Sequence, residues 1–180
     1  MQPYVFNASA RTVRIAAILS ALCSVFIALT PANAASGTVV ALGASNTYGK
    51  GVARDQAYPE QLGAMLRAAG HDVRVINAGV NGDTTGGMLS RLDQAVPDGT
   101  KVVILQPGGN DDRKGQGGGR ATNIAAIKQR LAARGIKVII MENSALHGLP
   151  HQPDGQHLTP DGYHALAAHF LQQVIAALRR

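Results

Sequence analysis

The sequence predicts an α/β protein: a three-layer sandwich with a short parallel sheet of four or five strands. Two observations lead there. Four short runs, Thr38–Leu42, Val73–Ala78, Lys101–Gln106 and Ile136–Met141, are rich in Val and Ile and nearly continuous in apolar character. Strands buried on both faces read this way, unlike the alternating strands of a half-solvated sheet. Segments with apolar residues at helical spacing lie between and after those runs, and strand–helix alternation implies crossover connections that cover both faces of the sheet.

The helical segments follow in order. Leu62, Met65, Leu66 and Ala69 share one face, with Pro59 near the start and Gly70 at the stop. Met88, Leu89, Leu92 and Val96 repeat the spacing, and Ile124, Ile127 and Leu131 repeat it again before Gly135. The last helix carries the longest stripe: Tyr163, Leu166, Ala167, Phe170, Leu171, Val174, Ile175 and Leu178. Thr159 suits its N-cap and Pro160 its first position. The glycine-rich stretch Gly108–Gly119 reads as a mobile loop.

Residues 1–34 read as a segment outside this fold. Arg11 and Arg14 precede the uncharged, mostly apolar run Ile15–Leu29, then come Pro31 and the small-x-small pattern Ala32-Asn33-Ala34. That order predicts a secretory signal peptide cut after Ala34, and an exported protein, periplasmic or extracellular. The run is short for a spanning helix, which wants roughly 20 apolar residues. A membrane partner is expected only through an uncleaved signal. Residues 35–180 then form a single domain, large enough to bury a core. Cys23 is the sole cysteine and leaves with the signal, so stability must come from packing. The formal net charge of +6 is carried by scattered residues, and the chain has no Trp. Nucleic-acid binding is not expected, since it would concentrate that charge and add stacking platforms.

Open α/β sheets place their sites at the carboxyl ends of the strands. Gly43-Ala44-Ser45-Asn46 follows the first strand, Asn81-Gly82-Asp83-Thr84 the second, and Gly108-Gly109-Asn110-Asp111 the third, while Asp154-Gly155-Gln156-His157 precedes the last helix. Acyl transfer needs such a set. A serine hydroxyl is a weak nucleophile until a base accepts its proton. Histidine serves as that base, and a carboxylate on its other ring nitrogen fixes the tautomer. Ser45, His157 and Asp154 are the candidates. The oxyanion that develops needs pre-placed donors, for which the backbone N–H groups of Ser45 and Gly82 and the side-chain amide of Asn110 are available. Taken singly, Ser45 reads equally as a helix cap, Gly82 and Asn110 as turn residues, and the Asp154–His157 pair as a brace at the entry to the last helix. Their joint placement points to chemistry.

At these residues the sequence resembles the GDSL/SGNH hydrolases, especially the bacterial thioesterase I, arylesterase and lysophospholipase group. Gly43–Ser45 is similar to the family's first block, with the nucleophile. Asn77–Thr84 is similar to the second, whose glycine amide lines the oxyanion hole and matches Gly82. Gly108–Asp111 is similar to the third, whose asparagine matches Asn110, and Asp154–Thr159 to the last, with the acid and the base. The resemblance implies a flavodoxin-like sheet, neither metal nor organic cofactor, and a small-molecule ester or thioester substrate hydrolysed through an acyl-enzyme.

The chain departs from the family pattern twice. Ala44 stands where the family has an acid that supports the loop. Only nine residues, 145–153, separate Ser144 from Asp154, where larger members place another strand and helix. A smaller lid and a more open acyl site follow. Two other readings use the same residues: a non-catalytic module binding a glycan or acyl group on the same scaffold, and a metal-dependent hydrolase using the loop histidines His147, His151 and His157.

Overall fold

A computed structural model describes residues 1–2 and 37–179 of the chain. The expected signal segment lies outside the described residues. The compact unit Asn33–Arg180 carries the fold.

Its elements are strands β1 (Thr38–Gly43), β2 (Arg74–Gly79), β3 (Thr100–Leu105) and β4 (Lys137–Ile140) and seven helices among the described residues. The helices are α1 (Ser45–Tyr48), α2 (Tyr58–Ala68), α3 (Thr85–Ser90), α4 (Leu92–Ala95), α5 (Asn110–Arg113), α6 (Arg120–Ala133) and α7 (Pro160–Leu178). All neighbouring strands pair in parallel, in the order β2-β1-β3-β4. Among the described residues the sheet has four strands. Between β4 and α7 runs a short 3-10 turn, Asn143–Leu146, and one isolated antiparallel bridge joins His151 to Leu158.

Side-chain alternation along the strands divides the core in two. Val39, Ala41, Val102 and Ile104 point to the face covered by α2 and α7, where they meet Tyr58, Leu62, Leu66, Leu166, Phe170 and Val174. Val40, Leu42, Val103 and Leu105 point to the opposite face and meet Met88, Leu92, Ile127 and Leu131 from α3, α4 and α6. This is why β1 and β3 carry the unbroken apolar runs Val39–Leu42 and Val102–Leu105: each face has its own layer of helices. Thr159 caps α7 by accepting from the Gly162 N–H, and Pro160 occupies the first turn.

The apolar spacing of Met88–Val96 predicts one helix, whereas the structure has two, interrupted at Arg91. The Arg91 side chain accounts for the local geometry. Its Nε donates to Asp83 (2.9 Å) and its Nη2 to the Gly43 carbonyl (3.2 Å), tying the segment back to the end of β1. The glycine-rich stretch Gly108–Gly119, expected as a loop, forms α5 and a 3-10 turn at Gly117–Gly119 that leads into α6.

The chain leaves β1 for β2 on one side and crosses to β3 on the other. The carboxyl ends of β1 and β3 therefore flank the point where strand order reverses, the position where open α/β sheets leave a crevice.

Candidate active site

Ser45 is the first residue of α1, immediately beyond β1, where a backbone N–H has no intrahelical acceptor. Its Oγ lies 2.9 Å from His157 Nε2. The other ring nitrogen, Nδ1, lies 2.5 Å from Asp154 Oδ2. The three residues thus form one continuous hydrogen-bonded line, although Ser45 and His157 are 112 residues apart along the chain. Asp154 is placed by its own turn: its Oδ1 accepts from the backbone N–H of Gln156 (2.9 Å) and of His157 (3.0 Å). The His157 side-chain hydrogen bond, then those two backbone donors, hold the Asp154 carboxyl well below its ordinary 3.8. Asp154 is exposed while His157 is buried. The imidazole is therefore fixed between a solvated acid and the serine.

Asn110, buried at the start of α5, sits across the cleft from His157. Its Nδ2 donates to the Asp83 carbonyl at 2.7 Å, and its Oδ1 accepts from Arg113 Nη2 at 2.7 Å. One of the two amide hydrogens is thus used, and the second has no partner among the described residues. Gly82 has φ +73, a left-handed conformation that side chains resist, so glycine is required by backbone geometry at this turn. Its carbonyl accepts from Lys114 Nζ at 2.7 Å. Among the described residues the backbone N–H groups of Ser45 and Gly82 donate no hydrogen bond. Ser45, Gly82, Asn110 and His157 line one small cavity together. A neighbouring cleft of about 360 Å³ shares Ser45, Asn110 and His157 and extends to Asn143, Leu146, His147 and His151. Of the five residues expected at the site, Ser45, Gly82, Asn110 and His157 share one cavity, and Asp154 joins them through the His157 ring. His147 and His151 lie at the mouth of the site, and His151 Nδ1 is engaged by the Leu149 carbonyl at 2.7 Å.

The structure adds residues that the sequence motifs do not identify. Gln106, at the end of β3 and buried, accepts through one oxygen from Ala44 N–H (3.1 Å), Thr47 N–H (3.2 Å) and Thr47 Oγ1 (2.7 Å). It clamps the backbone on both sides of Ser45, and Ala44 packs in the core beside it. Gly43 makes that approach possible: a Cβ there would overlap the Thr47 hydroxyl and the Gln106 side chain. Asn46 ties α1 to the loop before α7 and to α7 itself, donating to the Gln156 carbonyl (3.1 Å) and accepting from the Tyr163 hydroxyl (3.1 Å). Burial pushes the Tyr163 phenol up to about 12, which keeps it a donor. Asp111, next to Asn110 and buried, accepts from the Thr85 N–H and hydroxyl, joining the loop after β3 to α3. Only the adjacency of Asp111 to Asn110, and of Asn46 to Ser45, could have marked any of them in advance.

The model of the GDSL-like lipase/acylhydrolase family matches residues 41–180. The chain is similar to a protein named esterase TesA from Pseudomonas aeruginosa, with 32% identity over 127 residues, 69% of this chain and 63% of that protein. It is also similar to an arylesterase from Vibrio mimicus, with 37% identity over 94 residues, 50% of this chain and 46% of that protein. The matched regions thus span about half to two thirds of the length of these relatives. In fold it resembles the psychrotrophic esterase EstA from a Pseudoalteromonas species, with a TM-score of 0.71 at 19% identity, over 80% of this chain and all of that one.

Proposed function

The chain belongs to the GDSL-like lipase/acylhydrolase family, and from that premise we propose that it is a serine hydrolase cleaving carboxylic esters or thioesters through an acyl-enzyme. The observation that carries the reading is the position of His157 between Ser45 Oγ and the Asp154 carboxylate. In the proposed reaction Ser45 Oγ attacks the acyl carbon while its proton passes to His157 Nε2. Asp154 holds the imidazole in the tautomer with hydrogen on Nδ1 and stabilises the imidazolium that forms. The carbonyl oxygen becomes an anion, facing the Ser45 and Gly82 amides and the second Asn110 N–H, donors held by the fold before charge develops. His157 returns the proton to the departing alcohol or thiol, leaving the acyl group on Ser45. A water molecule, deprotonated by the same imidazole, then releases the acid.

The names of the relatives, an esterase and an arylesterase, support the same class of reaction. The test is hydrolysis of 4-nitrophenyl acetate and butyrate by the purified protein beside Ser45→Ala. Turnover in the wild type that falls by about 10⁴-fold or more in the variant is expected. Equal rates in the two proteins would remove Ser45 from the mechanism. Folded wild-type protein inert to these esters and to a fluorophosphonate would favour a non-catalytic binding module.

We also propose that residues 1–34 direct export and are cut after Ala34. N-terminal sequencing of protein recovered from outside the cytoplasm should then begin at Ala35, and an intact N-terminus would reject the signal.

A further inference from the structure

The two cavities that meet at Ser45 have a lopsided charge. Their linings include Lys50 and Arg113 and the histidines 147, 151 and 157, but no aspartate or glutamate. The nearest carboxylate in the same loop as His157 is Asp154, and both its oxygens are engaged, by the imidazole and by two backbone amides. Arg113 lines both cavities. Its Nη1 donates to Gln156 Oε1 at 2.9 Å and its Nη2 to Asn110 Oδ1 at 2.7 Å. Both partners are neutral and both line the site. Five arginines of the described residues pair with acids: Arg54, Arg91, Arg120, Arg130 and Arg134. Arg113 makes no such pair among the described residues, although Asp111 and Asp112 precede it directly. Asp111 is turned inward to Thr85 and Asp112 outward to Arg120.

A guanidinium presents five donors in a rigid fork. Two are used here to fix its plane, and the bond to Asn110 Oδ1 places that plane beside the amide proposed to hold the oxyanion. The remaining donors belong to a side chain that lines a cleft with no anion of its own. We propose that Arg113 is a specificity residue, and that the preferred substrates are esters carrying a carboxylate close to the scissile carbonyl. The substrate's carboxylate takes the fork, and Lys50 adds positive potential on the Gly82 side. The proposal rests on the serine-hydrolase reading above and extends it to a substrate class.

The test separates the two. Ser45→Ala protein, which binds without turnover, is titrated calorimetrically with 4-nitrophenyl hydrogen glutarate and with its neutral counterpart 4-nitrophenyl pentanoate. A second pair moves the charge to the leaving group: the butyrate esters of 4-hydroxybenzoate and of its methyl ester. The expected result is roughly tenfold tighter binding of the charged member in at least one pair. Which pair responds tells whether the anion lies on the acyl or the leaving-group side. The preference should shrink as salt is raised, collapse in Ser45→Ala/Arg113→Gln, and survive in part in Ser45→Ala/Arg113→Lys, which keeps the charge without the fork. With active enzyme the same preference should appear in KM more than in kcat, whereas mere support of Asn110 would lower kcat for charged and neutral esters alike. Equal binding within both pairs, or a preference that persists in the glutamine variant, would overturn the proposal. Loss of ester hydrolysis altogether, with the binding preference intact, would instead count against the acyl-enzyme reading alone.

Discussion

Replacing Gln106 by Leu should weaken both the fold and the proposed reaction, and the size of the effect follows from its contacts. One side-chain oxygen accepts from two backbone N–H groups, Ala44 and Thr47, and from the Thr47 hydroxyl. Leucine fills a similar volume and offers no acceptor. The hydroxyl can rotate toward another partner, but the two amides stay buried. Each buried donor left unpaired costs about 1–3 kcal/mol, so the pair costs roughly 2–6 kcal/mol, less up to about 1 kcal/mol regained from the added apolar surface. Against a typical total of about 5–15 kcal/mol, that is a large loss from one side chain. Because the two amides flank Ser45, the turn that presents Oγ to His157 should also loosen, and misplacing a nucleophile by about 1 Å can cost on the order of 100-fold in rate. Urea denaturation measures the first quantity and kcat with 4-nitrophenyl butyrate the second. Gln106→Glu keeps an acceptor in place and should recover part of the rate even where burying its charge lowers stability. A Gln106→Leu protein within about 0.5 kcal/mol of wild type and within twofold in kcat would refute the reasoning, because ordinary surface substitutions do no more.

Other consequences are equally open to measurement. Asn110→Ala should lower kcat by roughly 100-fold or more with little change in KM, as expected for a donor that acts on the oxyanion; a change under twofold would remove Asn110 from the site. Asp154→Asn should lower kcat by roughly 10²- to 10⁴-fold through loss of the fixed tautomer. The same variant bears on acid stability. The folded Asp154 carboxyl lies below its ordinary 3.8 because the His157 side chain and two backbone amides bond the charged form. Its stabilisation is therefore full above that value and lost as pH falls below about 4. Asp154→Asn should accordingly lose less stability than wild type between about pH 4 and 2, and identical acid profiles would contradict this. Tyr163→Phe removes the hydrogen bond to Asn46 and should cost about 1 kcal/mol. Because burial raises the Tyr163 phenol from 10.0 to about 12, its contribution is complete below pH 10.0 and fades as pH rises through about 12; the variant's stability should fall less steeply over that range, as read by denaturation at a series of alkaline pH values.

How much of this was legible in the sequence depended on whether a feature is local. The strands were readable because β1, β3 and β4 carry the continuous apolar runs Val39–Leu42, Val102–Leu105 and Val138–Ile140, and β2 offers Val75 and Ile76. The α7 helix was readable because Thr159, Pro160 and its apolar stripe all agree. The interruption at Arg91 was not, since it reflects a bond from that side chain to Gly43, distant along the chain. The same distinction holds at the site. Ser45, Gly82, Asn110, Asp154 and His157 lie in short motifs at strand ends or before a helix, and motif spacing reveals them. Gln106 directly follows β3 and looks like any polar residue at a strand end until β3 is placed beside β1. Its role answers the substitution at Ala44: the acid expected in that loop is absent, and the loop is held from outside by an amide on the neighbouring strand. Arg113 likewise reads as an ordinary surface cation in sequence, and only its position between Asn110 and Gln156 sets it apart.

The central claim is that Ser45 becomes acylated with His157 as its base. Rapid quenching of the enzyme with 4-nitrophenyl butyrate, followed by mass spectrometry of its peptides, tests this most directly. The account predicts a butyryl group on the peptide carrying Ser45, at that residue, formed in wild type and absent in His157→Ala. Turnover without any acylated peptide, or acylation at a residue other than Ser45, would contradict it.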